Sequence, residues 1–326
     1  MCQKNARNTV VVTNSREIGP IAPECGLKGR IISAMNRDWI EVVAVFTRLV
    51  GAIVRAMLII VVVTTPSLII PGTTAEGAQI VMLVALAFAL FTLVEYGAKY
   101  PGLIEFRDAP PFNRIRVLHL LVILFALSVI IGRDPGSSTL VMVINAIGFL
   151  IGGALDFPYS PLRVVLNALP PGSDPNVAIQ IRAMAGMSLL VTIIALFSFA
   201  SLIRTENWPN RGSAFNVWVN LPTFDPTTGG DVVKRLTRDG RVNLIFGIFA
   251  PFIIPAVAVM AARQLQVPIA ASPQTVVWMI ALWMFLPLSL VMRGQAMLRI
   301  ASMIRERRAR LIATLDADAP GAPSVA

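Results

Sequence analysis

A single histidine, His119, and two cysteines, Cys2 and Cys25, are all that the chain's 326 residues offer to soft metal chemistry. One imidazole cannot build a bis-histidine haem site or a multi-histidine centre, and the cysteine spacing matches no zinc motif. No metal and no cofactor is therefore expected. His119 follows Arg116 by three residues at the start of an apolar run, where it reads as a polar residue at a membrane surface rather than a proton relay. Catalytic and phosphate-binding signatures are missing as well. There is no G-x-x-x-x-G-K-[ST], no H-E-x-x-H, no nucleophile elbow and no glycine fingerprint after a strand. Charge is scarce, at 14% of residues against about 25% in soluble domains. Acids are scarcer still, 18 against 28 Lys and Arg, and no Asp, Glu or Lys lies deep inside an apolar run. A lipid enzyme with clustered acids at the interface is thus poorly matched, and so is a carrier built on buried acids. The chain reads as a non-enzyme.

What the chain does have is hydrophobicity. Apolar residues make up 56% and the mean hydropathy is +0.72. Length then counts membrane crossings, at about 20 apolar residues each, rather than soluble domains. Apolar runs fall at 49–70, 78–94, 117–132, 139–155, 184–203, 243–262 and 275–292. The fold class expected is all-α: a polytopic membrane protein of six to eight transmembrane segments, with basic amphipathic helices at both ends. The membrane domain is placed at 35–312, with a disordered tail at 313–326. Residues 1–34 are polar and aperiodic, with Gly19-Pro20, Pro23 and Gly26 as breakers. They are expected to be disordered, or an extension upstream of a true start at Met35.

The stretch from Asp38 to Pro71 sets the pattern. Glu41, Arg48 and Arg55 are spaced by seven, so at about 3.6 residues per turn they share one helix face. Beyond Arg55 the run carries no charge, and Arg55 is placed to snorkel towards headgroups. In the second run Ala85, Ala89 and Thr92 form a small-residue seam. The loop after it (Lys99, Arg107, Arg114, Arg116) is basic, and its Asp108–Pro111 segment is a rigid break. In the fourth run Asn145, Gly148, Gly152 and Asp156 form one stripe. Gly148 and Gly152 make a G-x-x-x-G pair for close helix packing, and Asn145 is expected to hydrogen-bond across that seam. The same stripe is the possible polar path, with Asn145 and Asp156 as stations.

Five prolines between residues 157 and 183 exclude a continuous helix there, leaving Leu162–Leu169 as a short interfacial or re-entrant piece. The loop at 204–242 carries Phe215, Trp218 and Phe224, read as interface anchors ahead of a partner surface. Its end, with Lys234, Arg235 and Arg238, is faintly amphipathic. The sixth run holds Pro251 and Pro255 on one face; the kink they impose makes them candidate lining of a ligand site. The seventh run leads into a basic amphipathic helix with Arg299, Arg305, Arg307 and Arg308.

The net charge of +10 sits in these ends and loops, as expected of segments held by anionic headgroups. No reader module for nucleic acid accompanies it. By the positive-inside rule both ends are cytoplasmic in a bacterial inner membrane. Seven runs conflict with that, since an odd number of crossings separates the ends. The resolution expected is an even number, with the fourth run re-entrant or a partial crossing hidden in residues 157–183. The function expected is that of a non-catalytic accessory or assembly subunit with a membrane-protein partner or a second copy of itself. The alternative is a secondary transporter or channel using Asn145, Asp156, Pro251 and Pro255.

Overall fold

A computed structural model describes residues 24–100, 102–169, 172, 174–205, 208–209, 220–222, 224, 229–265 and 272–318. Among these the chain forms eight α-helices and no strand: α1 (Glu24–Ile69), α2 (Ala75–Gly97), α3 (Phe112–Gly132), α4 (Thr139–Ala154), α5 (Pro161–Asn167), α6 (Pro175–Thr205), α7 (Val232–Leu265) and α8 (Pro273–Asp318). Six stretches are long and apolar enough to cross a membrane: Val45–Ile69, Ala75–Gly97, Phe112–Gly132, Pro175–Thr205, Val232–Ala262 and Pro273–Asp316. The chain is an α-helical, multi-pass membrane protein.

Two units are distinguished, Met1–Arg48 and Leu49–Ala326. In the first, α1 begins at Glu24, well before Met35. Arg48 is exposed, and the Thr47 hydroxyl donates to Val43 O at 2.9 Å. Residues 1–23, including Cys2, lie outside the described residues, as do Phe215 and Trp218.

In the second unit, capping residues set the helix starts. Thr74, Ser138 and Ser160 accept from the N–H groups of Gly77, Val141 and Arg163, and Pro161 occupies the first turn of α5. α5 is the short helix the proline-rich stretch allowed. The Asp108–Pro111 segment is non-helical, as its prolines required.

Contacts between distant residues sort the helix ends into two groups. At one end the start of α3, the end of α6, the start of α7 and the later half of α8 share a core of Phe112, Phe199, Leu236 and Met297. At the other, Gln274 donates to Ser67 at 2.7 Å, and Ile70, Ile130, Ile181 and Val277 share a second core. α3 therefore finishes, and α6 starts, at this same second end. α4 and α5 lie between them, so this segment leaves that end and returns to it. α4 has 16 residues, about 24 Å of rise against a hydrocarbon core of about 30 Å. The seven apolar runs thus give one excursion and six helices long enough to cross, an even number.

The basic stretch after the seventh run is the continuation of α8 rather than a separate helix. Its Met297 and Ile300 are buried in the protein, whereas Leu311 is exposed. Helix also persists to Asp318 through the expected tail, consistent with the good helix formers Ala313, Leu315 and Ala317. Phe224 packs inward, with the Arg235 guanidinium 4.7 Å from its ring, rather than standing at a membrane interface.

Candidate functional site

The stripe on α4 is spent on packing. A Cβ placed on Gly152 would lie 2.6 Å from Arg182 O, and one on Gly186 would lie 2.4 Å from Gly152 N. α4 and α6 therefore touch backbone to backbone, which only glycine permits. Asn145 is buried, but its amide donates to Val141 O at 2.9 Å, within its own helix and not across the seam. A side chain that can close back on the i−4 carbonyl satisfies itself without a partner helix. Asp156 is held at the α4–α5 end by Arg163 at 2.8 Å and Arg182 at 3.8 Å. These residues form a packing joint and an ion cluster.

One carbonyl freed by the proline pair of α7 is likewise occupied. Pro255 has no N–H to offer the carbonyl four residues before it, which is that of Pro251. The indole N–H of buried Trp283 donates to Pro251 O instead, at 2.8 Å. The nearby cavity of ≈ 250 Å³, lined by Pro255, Trp283, Leu169 and Met279, contains no ionisable side chain.

His119 is buried, with Nε2 2.9 Å from the Thr192 hydroxyl. That hydroxyl donates to Ser188 O at 2.7 Å, so Nε2 must carry the hydrogen. The expectation of a surface residue is corrected here: Thr192 and the ring of Phe285, whose centroid is 6.2 Å away, take His119 into the bundle.

Charge and cavity coincide elsewhere. A cleft of ≈ 980 Å³ is lined by α1 (Arg55, Leu58, Val62), α2 (Phe88, Phe91, Tyr96), the α2–α3 loop, α3 (Arg114, Arg116, Leu121) and α8 (Phe285, Ser289, Arg293). Its lower walls are aliphatic and aromatic, and its guanidiniums gather at the end where α3 starts.

The loop at that end is tightly folded. The Glu95 carboxylate accepts from the N–H groups of Gly102, Leu103 and Ile104 at 3.1–3.2 Å. Arg107 donates to Glu95 O in the last turn of α2 and to O of the C-cap residue Ala98, both at 2.8 Å, and so caps the helix. Phe106 is fully buried with φ at 54°, a conformation costly for an aromatic residue. Its N–H donates to Asn220 O at 2.7 Å, and the rings of Phe112 and Trp208 enclose it at 4.5 and 5.7 Å.

Glu105 then reaches α8. Its carboxylate takes both arms of Arg293, at 2.6 and 2.8 Å, in a fork geometry. Arg116 donates to the Ser289 hydroxyl at 3.2 Å, with Phe112 and Phe285 flanking its guanidinium. Arg55 closes on Gly51 O at 2.7 Å and lies 4.6 Å from the Tyr96 ring. Among the described residues no carboxylate lies within 4.0 Å of Arg55 or Arg116.

Other basic residues lie at the same end but outside this cleft. Lys234, Arg238, Arg305 and Arg308 border a second, shallower depression, where Arg308 pairs with Asp231 at 2.8 Å. Arg299 donates to Trp208 O, and Arg307 is exposed. Sequence reasoning counted Arg55, Arg107, Arg114 and Arg116 as topology signals only, and missed Tyr96, Glu105 and Arg293 as members of one site. Among the described residues no group of three His, Cys, Asp or Glu is placed to hold a metal ion. No family model matches the chain, and no match was found among curated proteins or solved structures.

Proposed function

We propose that the chain is a non-catalytic multi-pass protein of a bacterial inner membrane, with both ends cytoplasmic, whose cleft binds an anionic membrane amphiphile. One observation carries this reading. The cleft joins an arginine-rich end to apolar walls built from long apolar helices, the division of surface that a charged headgroup and its chains require. The orientation is supported by Lys99, Arg107, Arg114, Arg204, Lys234 and Arg308, which all lie at the cleft's charged end. Large apolar side chains stay exposed along α2, including Leu83, Phe88 and Leu90, which leaves room for the accessory-subunit role beside lipid contact. The transporter reading has less support, because the carbonyl freed by Pro255 is taken by Trp283.

The test is purification of a tagged chain in mild detergent, with mass spectrometry of retained lipids and proteins. Retention of an anionic lipid at near-stoichiometric level, reduced in Arg55→Gln and Arg116→Gln variants, is the expected result. Retained lipid that mirrors the bulk membrane would refute the binding role. Labelling of cysteines introduced at Arg133 and Arg310 checks orientation: only the first should react from the periplasm.

A further inference from the structure

The cleft's charges specify more than a negative headgroup. We propose, resting on the amphiphile reading above, that the headgroup it takes is a phosphomonoester: a terminal lipid phosphate with a single ester bond. Five arginines line the cleft (Arg55, Arg107, Arg114, Arg116 and Arg293) against two acids (Glu105 and Asp108), a balance of 5 − 2 = +3. Two of the five are committed to the protein. Arg293 is forked onto Glu105, and Arg107 is bound to α2 carbonyls and paired with Asp108 at 3.3 Å. Arg55, Arg114 and Arg116 remain to meet a ligand.

A phosphodiester headgroup brings one negative charge to these three cations. A phosphomonoester brings up to two, because its second ionisation falls near pH 6 and neighbouring guanidiniums draw off that proton. The donors also match. A phosphomonoester presents three terminal oxygens, and Arg55, Tyr96 and Arg116 line the same cleft. Tyr96 lies under the guanidinium of Arg55 and within electrostatic range of Arg107 and Arg116. Residues Leu103–Asp108 line this end, so a phosphate with no second substituent can rest against the loop. Below it, Leu58, Val62, Phe88, Phe91 and Leu121 offer the apolar wall that acyl chains need.

The experiment uses the full chain in detergent, stripped of lipid, and measures binding of phosphatidic acid, phosphatidylglycerol and phosphatidylcholine with identical acyl chains. Native mass spectrometry and thermal protection serve as the two readouts. Phosphatidic acid should bind about tenfold or more tighter than phosphatidylglycerol, the scale of one further charge pair in a partly desolvated site. That preference should shrink as the pH falls below about 6. Arg55→Gln, at an exposed residue, and the Arg55→Gln/Arg116→Gln pair should erase it, while Arg133→Gln at the far end should not. Equal binding of the two anionic lipids, both above phosphatidylcholine, would overturn the phosphomonoester assignment and leave the amphiphile reading standing. No advantage of either anionic lipid would overturn both. Protection by glycerol 3-phosphate equal to that by phosphatidic acid would make the ligand a water-soluble phosphate and overturn the lipid assignment.

Discussion

Two adjacent glycines on α4 should respond to the same substitution in opposite ways. Gly152 meets α6 backbone to backbone, whereas a Cβ on Gly153 would find nothing within 4 Å. In Gly152→Ala the new methyl would lie 2.6 Å from Arg182 O, and ordinary contact begins at 3.4 Å. α4 and α6 must part by the difference, 3.4 − 2.6 = 0.8 Å. Both partners are helix backbone, so no side-chain rotation can relieve the clash. Overpacking of this kind costs about 1–3 kcal/mol. Gly153→Ala has no such clash and removes a flexible residue from a helix, a gain of up to about 1 kcal/mol. Reversible unfolding of the full chain in mixed micelles, titrated with a denaturing detergent, separates the two. Gly152→Ala should unfold at a lower detergent fraction than wild type, and Gly153→Ala at the same fraction or higher. Equal shifts in both variants would mean that α4 and α6 do not meet at Gly152, and the packing argument would fail.

Other tests address other joints. Trp283→Phe should destabilise by about 1–3 kcal/mol, since Pro251 O loses its donor, and Pro255→Ala should rescue it by restoring a backbone N–H; additive losses in the double variant would refute the pairing. Either Glu105→Gln or Arg293→Met alone should cost about 3 kcal/mol, with Glu105→Leu/Arg293→Met losing less than the sum, as a double-mutant cycle would record. Beside the start of α7 the Arg308 hydrogen bond, aided by the Val233 N–H, holds the Asp231 carboxyl below its ordinary range. The folded state thus favours the ionised form. Its contribution is present above the ordinary carboxylate pKa and lost as pH falls through the lowered value, so Asp231→Asn should flatten that part of the acid limb of stability.

The helices were legible because lipid imposes a simple rule: a spanning segment must be apolar and must satisfy its own backbone. Six of the seven runs map onto long helices, and the boundary differences share a direction. The run at 184–203 belongs to a helix from Pro175 to Thr205, and that at 243–262 to one from Val232 to Leu265. Hydropathy marks the bilayer, whereas hydrogen bonding carries a helix beyond it. Gly148 and Gly152 were legible as a seam because small residues at that spacing have few other uses. Their partner Gly186 was not, since nothing in the chain's order pairs residue 152 with residue 186. The cleft was hidden for the same reason. Glu105 and Arg293 lie 188 positions apart, and only the fold brings them within 2.6 Å. One signal was present but unused. Arg55, Arg116 and Arg293 each border an apolar run without an acid three or four residues away on the same helix.

That signal has a physical meaning once the loop is placed. A guanidinium at membrane depth needs an anion or water, and the protein supplies anions selectively. Glu105 goes to Arg293, and Glu95 spends its carboxylate on three backbone N–H groups of the loop. These contacts fix the loop, and the buried, strained Phe106 can be held only because Asn220 and two aromatic rings determine its position. The walls of the cleft are thus preorganised, while Arg55 and Arg116 keep neutral partners. An anionic headgroup entering here displaces no protein carboxylate and orders little that is not already ordered, the two costs that most reduce affinity. Placing a carboxylate beside Arg116, for instance by Ser289→Asp, should therefore weaken binding of an anionic lipid while leaving the loop intact.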